Sequence, residues 1–93
     1  MDEEYRWDDH SYTAIAANQV AWQDVSYVLR HAHPKIRQHT GAVLQVIAYT
    51  PDQRILAVTL IEETDDHYLV VTARHLTGEE LTHAEAILNR GKS

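Results

Sequence analysis

The stretch AVLQVIAYTPDQRILAVTLIEETDDHYLVVTAR, residues 42–74, decides the fold. It holds three runs rich in Val, Ile, Leu and Thr, at 42–49, 55–62 and 68–74, a composition that suits a pleated, half-buried surface. Between the first two, Thr50-Pro51-Asp52-Gln53 puts proline at the second position of a tight turn. Residues 63–67, Glu-Thr-Asp-Asp-His, read as a charged hairpin loop. Connections this short require antiparallel neighbours, because parallel strands need a long crossover. Leu56, Val58, Leu60 and Glu62 alternate with Ile55, Ala57, Thr59 and Ile61, and both sets are largely apolar. The sheet is therefore expected to be covered on one face and part-covered on the other. The same alternation puts Tyr68, Val70, Thr72 and Arg74 on one face of the last strand, and Leu69, Val71 and Ala73 on the other.

Outward from this core, residues 35–40 read as one more strand, with Gly41 as a bend or bulge, and residues 5–8 as a short edge strand. An alanine-rich helix is expected over 14–18, started by Ser11 or Thr13. Trp22, Val25, Val28 and Leu29 recur at helical spacing and predict a second helix, stopped by Pro34. After the sheet, Thr77 and Glu80 stand in capping-box spacing, with Leu76 and Leu81 as a hydrophobic staple. Leu81, Ala84, Ile87 and Leu88 give the closing helix its apolar stripe. The expected fold class is α+β: a small antiparallel sheet of three to five strands, two N-terminal helices and one C-terminal helix. One domain spans 1–93, with residues 1–4 and 90–93 frayed. Trp7 and Trp22 are expected in the core of a chain without phenylalanine.

Ninety-three residues suffice for one core, and the 44% hydrophobic and 24% charged fractions are those of a soluble globular domain. With no cysteine there is neither a disulfide framework nor a thiolate metal site. No apolar run is longer than that of Ile55 to Val58, far short of the ~20 residues of a membrane span. The start MDEEYRWDDH is acidic and resembles no secretory or transit segment, so a cytoplasmic protein with no membrane partner and no cofactor is expected. A net charge of −6 supplies no general attraction to nucleic acid.

Two groups of residues bear on chemistry. Arg74 ends a strand and precedes a helix start, where it is either a surface cation paired with Glu79 or Glu80, or a two-pronged grip for phosphate or carboxylate. The segment RHAHPKIRQH, residues 30–39, is the one basic tract. It reads as a defended edge strand or as a phosphate-facing strip. As a metal site His31, His33 and His39 lack a carboxylate or fourth ligand at suitable spacing.

The order of features resembles the BrnT-type toxins of bacterial type II toxin–antitoxin pairs, within the RelE/ParE-like group of small ribonuclease folds. Tyr5-Arg6-Trp7-Asp8 matches the family's aromatic-x-Trp-Asp start, and Val20-Ala21-Trp22-Gln23-Asp24-Val25 its lead into the second helix. Thr59 to Glu62 matches a strand ending in Thr-Glu, and Thr72-Ala73-Arg74-His75-Leu76-Thr77-Gly78-Glu79-Glu80 its Ser-Ala-Arg-x-Ala-Thr-x-x-Glu block. The resemblance implies an endoribonuclease that cuts by attack of the ribose 2′-hydroxyl. Arg74 would stabilise the scissile phosphate and Glu62 would be a structural or proton-relaying carboxylate. Lys35, Arg37 and His39 would contact RNA, and a small DNA-binding antitoxin would be the cognate partner. Ala17-Asn18-Gln19 replaces the family's Lys-His-Gly, and Glu79, Glu80, His83 and Glu85 stand where its closing helix carries arginines. The alternative is therefore a non-catalytic protein-interaction domain that kept the fold.

Overall fold

The computed structural model describes residues 3–90. In chain order the elements are β1 (Glu4–Arg6), α1 (Asp9–Ala17), α2 (Trp22–Arg30), β2 (Lys35–Thr40), β3 (Val43–Tyr49), β4 (Ile55–Thr64), β5 (His67–His75) and α3 (Gly78–Arg90). The strands make one sheet ordered β1-β5-β4-β3-β2. Strands β2 to β5 are the expected antiparallel meander. The short strand at the start of the chain joins β5 in parallel, with Tyr5 opposite Tyr68. The α+β class holds, with two helices before the meander and one after it.

The turns follow from local chemistry. Gln53 N–H donates to the Thr50 carbonyl at 3.0 Å, closing the turn that carries Pro51 in its expected place. The Thr50 side chain is 1% exposed; its hydroxyl donates to the Asp52 carboxylate and accepts from Arg54 N–H at 3.2 Å. The charged loop of 63–67 is narrower than its composition suggests: Thr64 still faces His67, leaving Asp65 and Asp66 to turn. Asp66 has φ 62°, a left-handed conformation that aspartate tolerates in tight hairpins. Gly41, also left-handed at φ 61°, turns β2 into β3.

Helix α1 begins earlier than Ser11 or Thr13 suggests, because Asp8 is the cap. Its carboxylate accepts from Ser11 N–H at 2.9 Å while the Ser11 hydroxyl accepts from Asp8 N–H at 3.1 Å. The same hydroxyl donates to the Val70 carbonyl, fastening the helix start to β5. In α2, Val25, Val28 and Leu29 are buried as expected. Trp22 is not: it is 52% exposed, and the buried stripe starts a turn later, at Val25. Trp7 is part-buried against the core and stacks on Tyr12 with ring centroids 5.2 Å apart.

Alternation along β4 divides the core in two. Leu56, Val58 and Leu60 meet α1 and α2 through Ile15, Val25, Val28 and Leu29. Ile55 and Ala57 point the other way, to Leu76, Ala84 and Leu88 at α3. Helices thus lie on both faces of the sheet, with α3 leaving its face part-open: Val43 and Ile61, partners across β3 and β4, are 41% and 40% exposed.

Two expectations are corrected at the ends. Glu4 is the first residue of β1 and Glu3 holds Arg37, so the chain is ordered from residue 3; residues 1–2 and 91–93 lie outside the described part. The capping box of α3 does not form. Gly78, between Thr77 and Glu80, is left-handed at φ 62°, and both Glu80 carboxylate oxygens accept from Arg74 instead of reaching back to Thr77. The staple survives, with Leu76 buried and Leu81 packed against the same cluster.

Candidate functional site

Where Arg74 points depends on one extra residue. Thr59 faces Thr72 but Leu60 faces Val70, so Val71 is a bulge in β5. The bulge breaks the expected alternation: Val70 and Ala73 both enter the core under α1 and α2, while Thr72 and Arg74 emerge on the α3 face. There Arg74 ends a row across the sheet, through its partner Ala57 to Ile47 and Ile36. The next row is polar: Thr72, Thr59, Gln45 and Gln38.

The guanidinium of Arg74 donates from both terminal nitrogens to Glu80, at 3.0 and 2.8 Å. The pair holds the Glu80 carboxyl below the usual carboxylate range and the guanidinium above its own, mainly through those hydrogen bonds. Beside it, a cavity of about 170 Å³ opens between α3 and the β2–β3 half of the sheet. Gln38, Gln45 and His83 supply its polar lining, and Ile36, Ile47 and Ile87 much of its apolar wall.

The other predicted residues lie on the opposite face. Lys35, Arg37 and His39 face Ala48, Val46 and Leu44, all in the core under α1 and α2, and Glu62 shares that face with Leu60. Glu62 is opposite Tyr68, whose hydroxyl is raised by burial first and by Glu3 and Glu62 after it. Lys35 Nζ donates to the Leu29 carbonyl at 2.8 Å, closing the end of α2, and burial lowers its ammonium. Arg37 donates twice to Glu3, at 2.8 and 2.6 Å, which raises the guanidinium and lowers the carboxyl. Tyr5 donates to Glu3 at 2.7 Å, stacks on Tyr68, and carries the Arg30 guanidinium 5.2 Å above its ring. Burial, then Glu3, pushes the Tyr5 hydroxyl up to about 12.

The fold therefore brings Lys35, Arg37, His39 and Glu62 to one side and sends Arg74 to the other. Sequence reading missed Glu3 and Tyr5, which organise the first side, and Gln38 and Gln45, which flank Arg74's cavity on the second. The glutamines were legible as period-two partners within two adjacent strands; Glu3 carried no signal, since its partner is 34 residues away. Among the described residues no group of three or more His, Asp or Glu is placed to hold a metal ion, and His31 and His33 are exposed. No described helix is long and apolar enough to cross a membrane.

This arrangement, a five-stranded sheet with two helices on one face and a closing helix on the other, is the fold of a small ribonuclease toxin. A solved structure similar to it is the Brucella abortus ribonuclease toxin BrnT, matched with a TM-score of 0.61 over 82% of this chain and 99% of that one. Sequence identity is 19%, so the likeness is one of fold. No protein-family model and no curated protein matches the sequence.

Proposed function

We propose that the protein is the toxin-like member of a bacterial toxin–antitoxin pair and acts in the cytoplasm as an RNA endonuclease. Arg74 is the group that holds the scissile phosphate. The ribose 2′-hydroxyl attacks phosphorus and its proton passes to water, the P–O5′ bond breaks and the 5′-oxygen takes up a proton from water, and a 2′,3′-cyclic phosphate remains. A guanidinium that bridges two phosphate oxygens stabilises the charge that builds on them in the transition state. Glu62, on the far side of the sheet from Arg74, serves as a structural neighbour of Tyr68. Lys35, Arg37 and His39 are RNA contacts away from the cut. The partner is a small DNA-binding antitoxin.

The observation that carries this reading is the fold shared with a ribonuclease toxin over nearly all of that chain. Its test is induction in a bacterial host with purified-RNA cleavage alongside. Wild-type protein should arrest growth and cut RNA, and Arg74→Ala, with an unchanged circular dichroism spectrum, should do neither. Abundant folded wild-type protein that leaves growth and RNA untouched would overturn it.

A second reading, a non-catalytic interaction domain, is favoured by the state of the cations. Arg6, Arg37, Arg54 and Arg74 are held by Glu63, Glu3, Asp52 and Glu80, and Arg30 lies over Tyr5. Phosphate must displace a carboxylate at four of these five positions. Stable binding of the antitoxin without RNA cleavage would select this reading.

A further inference from the structure

We infer that Arg30, Lys35 and Arg37 form a site for a phosphate group, held closed by the Glu3 carboxylate. The inference rests on the reading of Lys35 and Arg37 as RNA contacts, and adds the group that must leave before they can act.

Strands β1 and β2 are opposite edges of the sheet, yet Glu3, just ahead of β1, reaches Arg37 on β2. The edges are therefore curled toward each other, and the end of α2 lies at the same place. The Leu29 carbonyl accepts from Lys35 Nζ at 2.8 Å and lies 3.5 Å from the Tyr5 hydroxyl. Arg30, the last residue of α2, holds its guanidinium 5.2 Å above the Tyr5 ring.

Among the described residues, Glu3 is the one carboxylate hydrogen-bonded to any of these three cations. One negative charge against three leaves the place positive in a chain whose net charge is −6. The carboxylate is held as an oxyanion ligand would be: both terminal nitrogens of Arg37 donate to it at 2.8 and 2.6 Å, and the Tyr5 hydroxyl at 2.7 Å. Lys35 adds its field to theirs. With side chains 33% and 22% exposed, Arg37–Glu3 is also the least exposed ion pair of the described residues, so charge is felt more strongly there than at Arg6, Arg54 or Arg74. A phosphate, with up to two charges and more oxygens, neutralises three cations better than one carboxylate does. Glu3 can leave at little cost, because it lies outside β1 and its departure breaks no strand pairing.

The test is titration of the full chain, at fixed low salt, with inorganic phosphate and with a 2′-O-methyl oligouridylate, which lacks the attacking hydroxyl and cannot be cut. Glu3→Gln and Glu3→Ala should bind about tenfold more tightly than wild type. In the Glu3→Gln background, Arg37→Gln should abolish the gain, Arg30→Gln should reduce it about threefold, and Arg74→Ala should leave it intact. A gain with the oligonucleotide alone assigns the site to the RNA backbone, and a gain with phosphate alone to the free ion. The inference falls if both Glu3 variants, folded by circular dichroism, bind each probe as wild type does, the result expected of a purely structural clasp. It falls equally if the gain survives the loss of Arg37. The gain in a chain that cuts no RNA keeps the site and removes the nuclease; RNA cleavage without the gain keeps the nuclease and removes the site.

Discussion

Ser11 shows how much one small side chain can hold in this fold. Fully buried, its hydroxyl serves the Asp8 N–H and the Val70 carbonyl at once, so it caps α1 and ties the cap to β5. Removing it takes a hydrogen bond from the part-buried Asp8 N–H and another from the buried Val70 carbonyl. Ser11→Ala should therefore cost about 1–3 kcal/mol in urea unfolding. Thr13→Ala is the control: its exposed hydroxyl bonds only the Asp9 carbonyl within the helix, and the loss should stay within about 0.5 kcal/mol. Equal effects from the two would show that the buried link to β5 contributes nothing. Sequence alone made Ser11 a candidate helix start; that it is the third helical residue and a tertiary anchor depends on β5, 59 residues on.

At the scale of elements, β4 carries the division of the core. Leu60 is 0% exposed under α1 and α2, whereas Ile61, next to it, is 40% exposed on the open part of the opposite face. Leu60→Ala should lower stability by about 2–5 kcal/mol and Ile61→Ala by about 1 kcal/mol or less, read from denaturant midpoints. Similar losses from both would mean that something covers Ile61 in solution. The three central runs were legible because strand composition and short turns leave few alternatives. The bulge at Val71 was not, because an extra residue in a strand leaves no mark on composition and only the paired neighbour reveals it. That single residue moved Arg74 to the face of α3, where Glu80 displaced the expected capping box.

For the whole molecule, charge pairing sets the response to pH. Glu3, Glu63 and Glu80 are lowered chiefly by their arginines, Asp8 by the Ser11 N–H and Asp52 by the Thr50 hydroxyl. A carboxyl lowered in the folded state contributes stability that is present above its unfolded value, about 4, and lost as pH falls through the folded one. His67 works in the opposite sense: the Asp65 carbonyl and Glu4 raise it, so its contribution is complete below about 6.5 and fades as pH rises through the folded value. Five carboxyls against one imidazole predict a thermal midpoint that falls steeply below about pH 4 and only slightly above pH 7. High salt should flatten the acid limb, since these pairs are largely exposed. A midpoint unchanged between about pH 6 and pH 3 would contradict this account.

The sequence by itself determined the antiparallel meander, the apolar stripes of α2 and α3, and the α+β class, because period, turn chemistry and chain length are local properties that neighbours only reinforce. It also marked Arg74, by its place at a strand–helix junction. Only the tertiary structure decided which face Arg74 occupies, which carboxylate holds it, and that Glu62 with the basic tract lies across the sheet from it. Those outcomes turn on strand register and on contacts between distant segments, where a slip of one residue reverses every face.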